Sequence, residues 1–277
     1  MKVQLWCDME GVAGIVAWDQ VNAGKAGYEE GRRLYTDETN ACIRGCRAGG
    51  ATTVVAIDGH GAGGGYTFNS WNKDRLEPGA EYVFGYRWGC YVEELANGCD
   101  ALLLPGAHAM AGTRDGVLCH TISSTNWVRA SIKLADGRWV EVGESGLVAA
   151  IAGGFGVPVI FASGDTSTCR EVRDLVGPGL VEAEVKRGLG RYSARTMAPQ
   201  DACKLIEARS REAVASRAAW PAPLKTSSPA QLKVELHTAD QALPYAARRG
   251  VENPEPRTLT STAPTFWECW DQFWHPR

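Results

Sequence analysis

What this 277-residue chain lacks narrows its class before anything it contains. It lacks an excess of either charge: 29 basic and 32 acidic residues leave a formal −3, so no basic field steers it to phosphate backbones, and no nucleic-acid partner is expected. It has no run of 18 apolar residues, so no membrane-spanning helix is expected, and Met1 to Cys7 is too short for the apolar core of a secretory signal. A cytoplasmic location is therefore the expectation. Its nine cysteines (7, 42, 46, 90, 99, 119, 169, 203 and 269) include no CxxC pair, which excludes a zinc ribbon or a dithiol redox motif. An odd, unpatterned set reads as reduced thiols serving as small buried hydrophobes. Low-complexity tracts are missing too. With 44% hydrophobic and 22% charged residues the chain is globular, long enough for one large α/β domain or two unequal ones.

What is present is one phrase written four times. Val3 to Cys7 is a short apolar segment that runs into Asp8-Met9-Glu10-Gly11, a strand ending in acids and a turn. Thr52 to Ile57 is β-branched and apolar, as a strand buried on both faces should be, and runs into Asp58-Gly59-His60-Gly61. Between them Tyr28 to Arg47 has helical spacing of Leu34, Ala41, Cys42 and Cys46, stopped by Gly49-Gly50, which completes a βαβ unit. Ala101 to Pro105 leads into Gly106-Ala107-His108, and Val157 to Ala162 into Ser163-Gly164-Asp165. In open α/β sheets ligands bind beyond the carboxyl ends of the strands, so polar residues there converge although they are far apart in sequence.

Other stretches change the pattern. Alternation on either side of Ala135-Asp136-Gly137 predicts an antiparallel hairpin that delivers Gly143-Glu144-Ser145-Gly146 to the start of a helix over Leu147 to Phe155. Beyond a soft boundary near residue 195 come a helix from Pro199 to Ser216, a Pro/Ser-rich loop, and a strand from Gln231 to Leu236. We divide the chain into a catalytic α/β domain, 1–195, and a smaller C-terminal α/β part, 196–277, that serves packing or oligomerisation. Trp267, Trp270 and Trp274 share one helix face near the end and suit a core or a subunit interface better than a binding cage.

Two motifs are decoys. Gly59 to Gly64 spells GxGxxG after a strand, but Tyr66 to Pro78 has no amphipathic helix to offer a phosphate. Gly143 to Leu147 resembles a serine nucleophile elbow, but Leu147 replaces the last glycine and the preceding strand belongs to a hairpin. The remaining candidates are Asp8, Glu10, His60, His108, His120 and Glu144. Singly, a strand-end carboxylate is usually a turn former and a lone histidine a hydrogen-bonded packing residue, which is how we read His237 and His275. Clustering alters that reading, because three of only five histidines follow separate strands at the edge where ligands bind. Oxygen and imidazole donors suit Zn²⁺ or Mn²⁺, and the set exceeds one tetrahedral zinc, so two ions sharing a bridging carboxylate would use it.

These same residues carry a resemblance. Cys7-Asp8-Met9-Glu10-Gly11, Asp58-Gly59-His60, Gly106-Ala107-His108, Gly116 to His120 (GVxxH) and Gly143 to Gly146 (GExG) fall in the order of the motifs of a known family. Over essentially its whole length the chain resembles the zinc-dependent D-aminopeptidase family typified by the dipeptide-operon protein DppA. The resemblance implies a three-layer α/β/α fold with a mixed, largely parallel sheet, two Zn²⁺ per subunit, and a decameric homo-oligomeric ring with a central channel. It also implies that Asp8 bridges the ions, that Glu10 and His60 complete one and His108 and Glu144 the other, and that His120 is catalytic. Cys7 stands where the family has serine, and strand alternation directs it into the core, away from Asp8.

The expectation is an aminopeptidase acting on short peptides, with D-amino-acid N-termini, through metals that polarise the carbonyl and activate water. Ligand sets do not specify a substrate, so a dinuclear hydrolase of another amide or ester, and a metal-free binding or scaffold homologue, remain alternatives on the residues alone.

Overall fold

The computed structural model describes residues 1–85 and 92–274, so Cys90 and His275 lie outside the described residues. In chain order the elements are β1 (Lys2–Cys7), α1 (Trp18–Val21), α2 (Tyr28–Ala48), β2 (Thr53–Asp58), β3 (Glu81–Val83), α3 (Glu93–Ala96) and β4 (Ala101–Ala107). The hairpin β5 (Trp127–Lys133) and β6 (Trp139–Val142) precedes α4 (Glu144–Gly154), β7 (Val159–Asp165) and α5 (Thr166–Val176). A second hairpin, β8 (Val181–Gly190) and β9 (Ser193–Thr196), leads to α6 (Pro199–Ala215). Then follow β10 (Ala230–Leu236), α7 (Ala239–Ala246), β11 (Val251–Glu255), β12 (Thr258–Ala263) and α8 (Phe266–Asp271).

Seven strands form one sheet in the order β3-β2-β1-β4-β7-β8-β9, parallel throughout except for the β8–β9 pair. Its central strands β1, β2, β4 and β7 are buried on both faces, which explains why they read as apolar runs rather than as alternation. Val3, Leu5 and Cys7 of β1 face a core shared with Leu34, Cys42 and Ile43 of α2 and Ile206 of α6. Trp6, on the other face of β1, belongs with Leu147 and Ile151 of α4 and Val172 of α5. The Cys7 thiol thus lies in the apolar core, as strand alternation predicts.

The second sheet, β11-β12-β10-β5-β6, is antiparallel and joins the predicted hairpin to strands from the C-terminal part. Its inner face, with Ala130, Ile132, Leu232 and Val234, completes the core on the α4 side of the large sheet. The tryptophan-rich end packs here: Trp270 and Trp274 lie 6.3 and 6.4 Å, ring to ring, from Trp127. Burying one such ring contributes roughly 1.5–3 kcal/mol, so this cluster holds the small sheet to α8.

The large sheet determines where chemistry can occur. From β1 the chain steps to β2 on one side and later places β4 on the other, so order reverses at β1/β4 and a crevice opens beyond their carboxyl ends. β1 lies between β2 and β4, and residues following β1 are therefore held between residues following β2 and β4.

Candidate metal centre

That crevice receives all six candidate residues. Asp8 follows β1 directly, His60 lies two residues beyond β2, and His108 follows β4. Glu144 is the first residue of α4, where the helix dipole favours a carboxylate, and His120 comes from the loop between β4 and β5.

Each imidazole is oriented by a backbone carbonyl. His60 Nε2 donates to the carbonyl of Val21 at 2.7 Å, His108 Nδ1 to that of Ala109 at 3.0 Å, and His120 Nδ1 to that of Leu118 at 2.9 Å. A carbonyl can only accept, so the proton sits on that nitrogen and the lone pair is on the other. Those lone pairs all point at carboxylates. His60 Nδ1 is 3.1 Å from both Asp8 Oδ1 and Glu10 Oε2. His108 Nε2 is 3.4 Å from Asp8 Oδ2 and 3.1 Å from Glu144 Oε1, and His120 Nε2 is 3.5 Å from Glu144 Oε1. Asp8 thus turns one oxygen toward His60 and the other toward His108.

Lone pairs facing carboxylate oxygens repel unless a cation or a proton sits between them. Without a metal the proton must serve: burial opposes charge on His60 and His108, but Glu10 beside the first and Glu144 beside the second raise both well above the usual histidine range. Burial, with Glu10 next to it, pushes Asp8 up to about 7. Burial pushes Glu10 the same way but is outweighed by His60, which holds it low. Glu10 Oε2 and His108 Nε2 are both buried without a hydrogen-bond partner. Donor atoms of Asp8, Glu10 and His108 lie within 4.8 Å of one another, as do those of His108, His120 and Glu144. Three carboxylates and three oriented imidazoles fit a pair of divalent cations, and among the described residues no cysteine joins either group.

The surrounding loops are pressed together by residues outside the candidate ligand set. Gly106, at φ 72°, brings its Cα so close to the loop after β1 that a side chain there would meet the carbonyl oxygen of Asp8 at 2.0 Å. Lys186, from β8, is buried and donates to the carbonyls of Glu10, Val12 and Ile15 at 2.5, 2.9 and 2.7 Å. Burial pushes its ammonium down to about 8 although Asp165, Glu38 and Glu10 favour the charge. Glu38 of α2 accepts from Ala13 N at 2.8 Å on the same segment. Asp165, the N-cap of α5, also accepts from Val117 N at 2.7 Å and so fixes the approach to His120. Ile122 takes φ 61°, costly for a β-branched residue, and thereby donates its N–H to Glu144 Oε1 at 2.7 Å.

His120 stacks on His108 with centroids 4.0 Å apart and planes 8° apart, and the ring of Trp18 meets it edge-on at 5.4 Å. Burial, and then the neighbouring His108, lower its affinity for a proton. His237 is exposed and takes no part. Of the two decoys, the glycine run at 59–64 leads only into short turns, at Gly64–Tyr66 and Lys73–Arg75, and Ser145 sits inside α4.

Fold and donor set together define a candidate binuclear metal hydrolase. Residues 1–274 match the peptidase family described as D-aminopeptidase, Peptidase_M55, and the chain belongs to that family. It is 33% identical to the D-aminopeptidase of Bacillus subtilis (strain 168) over 207 residues, 74% of this chain and 71% of the relative. Among solved structures it is similar to the Zn-dependent D-aminopeptidase DppA from Bacillus subtilis, described as a self-compartmentalizing protease, with a TM-score of 0.87 and 28% identity. That superposition covers 98% of this chain and 95% of the other. The three-layer α/β/α architecture expected from the sequence agrees with it.

Proposed function

We propose that this protein is a zinc-dependent D-aminopeptidase that removes the N-terminal residue from short peptides. One observation carries the reading: three imidazoles, each with its proton committed to a backbone carbonyl, aim their lone pairs at three carboxylates around a small cavity. In our assignment Asp8 would be shared between two ions, Glu10 and His60 would hold one with it, and His108 and Glu144 would hold the other. Asp8 takes the bridge because its two oxygens face different histidines.

Zinc bound there would polarise the scissile carbonyl and make water acidic near neutral pH. The chain's own residues do the rest. Three carboxylates balance the cationic charge, and the carbonyls of Val21 and Ala109 keep two histidines in the tautomer that can ligate. His120, neutral because burial and His108 disfavour its charge, presents Nε2 as a base. It accepts a proton as water adds to the carbonyl carbon and returns it to the amine nitrogen as the C–N bond breaks. No Lys or Arg lines this cavity among the described residues, which argues against a phosphate ester as substrate.

We further propose that the enzyme is cytoplasmic and assembles into a closed homo-oligomer, a ring of ten. The described residues include no helix long and apolar enough to cross a membrane, and Leu189 and Leu243 are 66% and 65% exposed, as interface residues would be in a free subunit. Residues 196–277 supply none of the candidate ligands, and we assign that part to packing and assembly.

Metal analysis and hydrolysis of matched D- and L-alanyl dipeptides on one purified sample test the reading. The expected result is close to two zinc ions per chain and faster cleavage of the D-peptide. Fewer than one metal per chain, with no rescue by added zinc, would overturn it.

A further inference from the structure

The turn between β8 and β9 holds a cation that the site as described leaves unused. The carbonyl of Arg191 accepts the N–H of Leu118 at 2.8 Å, which fastens this turn to the loop carrying His120. The guanidinium carbon lies 5.5 Å from the centre of the Trp18 ring and 5.7 Å from that of Tyr192. Trp18 is the ring that meets His120 edge-on at 5.4 Å, so the guanidinium stands two ring contacts from the imidazole assigned to proton transfer. Burial pushes the thiol of Cys119, next to His120, up, and the charge of Arg191 works against that shift.

Among the described residues the Nε of this guanidinium is buried without a hydrogen-bond partner. By contrast, two other basic side chains near the large sheet are satisfied: Lys186 donates to three carbonyls, and Arg173 Nη1 donates to both oxygens of Glu182. Two aromatic rings hold the Arg191 fork in place by their faces but supply no acceptor. A planar fork so held is complementary to a carboxylate, and the pair is stronger than a neutral hydrogen bond.

We infer that Arg191 binds the C-terminal carboxylate of the peptide substrate and so makes the enzyme selective for very short peptides. The inference rests on the peptidase reading of the metal centre. The contacts of 5.4 Å from His120 to Trp18 and 5.5 Å from Trp18 to the guanidinium put Arg191 just outside the metal cavity, and an extended chain advances only roughly 3.5 Å per residue, so the carboxylate of a very short peptide is the one brought to that place. A longer peptide carries its carboxylate past Arg191 and puts a neutral peptide group in its place. Arg191 is thus a specificity residue and takes no part in the chemical step.

The test compares D-Ala-D-Ala with its C-terminal carboxamide on the zinc-loaded full-length protein. Wild type is expected to favour the free acid about tenfold to a hundredfold in kcat/KM, the range of one charge-assisted pair. In Arg191→Gln that ratio falls to near one, and Arg191→Lys recovers part of it, with zinc content monitored in each. Equal cleavage of acid and amide by wild type overturns the anchor and leaves the peptidase reading standing. Cleavage of neither removes both. An unchanged ratio in Arg191→Gln with a changed assembly mass also overturns it, because the guanidinium then serves a carboxylate of another subunit.

Discussion

The two halves of the candidate centre are held by different means. Glu10 and His60, beside β1 and β2, have side chains only 4% exposed, and the segment after Glu10 is tied from behind by Lys186 and Glu38. In the other half His108 is buried as deeply, but Glu144 and the neighbouring His120 are 25% and 12% exposed and come from a helix start and a long loop, held by the strained turn at Ile122 and by Asp165. The inner half is set by buried charge behind the ligands, the outer half by hydrogen bonds to loop backbone. The difference suggests a division of labour, with a fixed ion in the inner half and an outer half open to the reacting peptide.

Asp8 is where this comparison is most easily broken, since it belongs to both halves. Asp8→Asn is expected to cost both metals and reduce peptide hydrolysis to background. Glu10→Gln and Glu144→Gln should each cost one, and metal-to-protein ratios by elemental analysis distinguish the cases. Loss of a single ion from Asp8→Asn would show that the halves do not share it.

A smaller effect separates the supports. The Lys186 ammonium donates to three carbonyls, so Lys186→Met keeps every candidate ligand side chain while releasing the backbone of Glu10, Val12 and Ile15. By analogy with groups that orient ligands from behind, inner-ion affinity should fall about tenfold to a hundredfold, measured by chelator competition. The outer ion should be retained. Equal weakening of both would mean that the two halves form one mechanical unit.

The same contrast explains how much was legible in the sequence. The candidate ligands stood out because strands that are apolar throughout make a following Asp, Glu or His conspicuous, and the structure brings them together because β1, β2 and β4 are neighbours in the sheet. The hairpin at Ala135 to Gly137 and the helix Pro199–Ala215 were readable from alternation and helical spacing. The supports were not. Lys186 sits among Ala183, Val185 and Gly188 in a strand whose pairing shifts register near Asp165, and nothing local says that this lysine turns inward. Arg191 occupies a turn, where a basic residue ordinarily faces water. Ile122 is still less legible, because a β-branched residue is rarely found at φ 61°. Such positions depend on which backbone happens to lie opposite, a tertiary fact with no sequence period.

The smallest effect expected at the metals themselves concerns Glu38, and it sharpens what supports the inner half. Its carboxyl is 3% exposed, one oxygen accepts from Ala13 N, and the other is buried without a hydrogen-bond partner. Burial pushes it up to about 7, against the pull of Ala13 N–H and Lys186. In the unfolded chain it titrates near 4.5, so between that pH and about 7 the folded protein holds a proton that the unfolded chain has released. Folded protein binding more protons means stability falls as pH rises through this window, by at most about 1.4 kcal/mol per pH unit. Urea unfolding of zinc-loaded protein at several pH values should show that decline, and Glu38→Gln should flatten it with two metals still bound. If the slope survives in Glu38→Gln, the titrating group lies elsewhere, and Lys186 alone secures the segment behind Glu10.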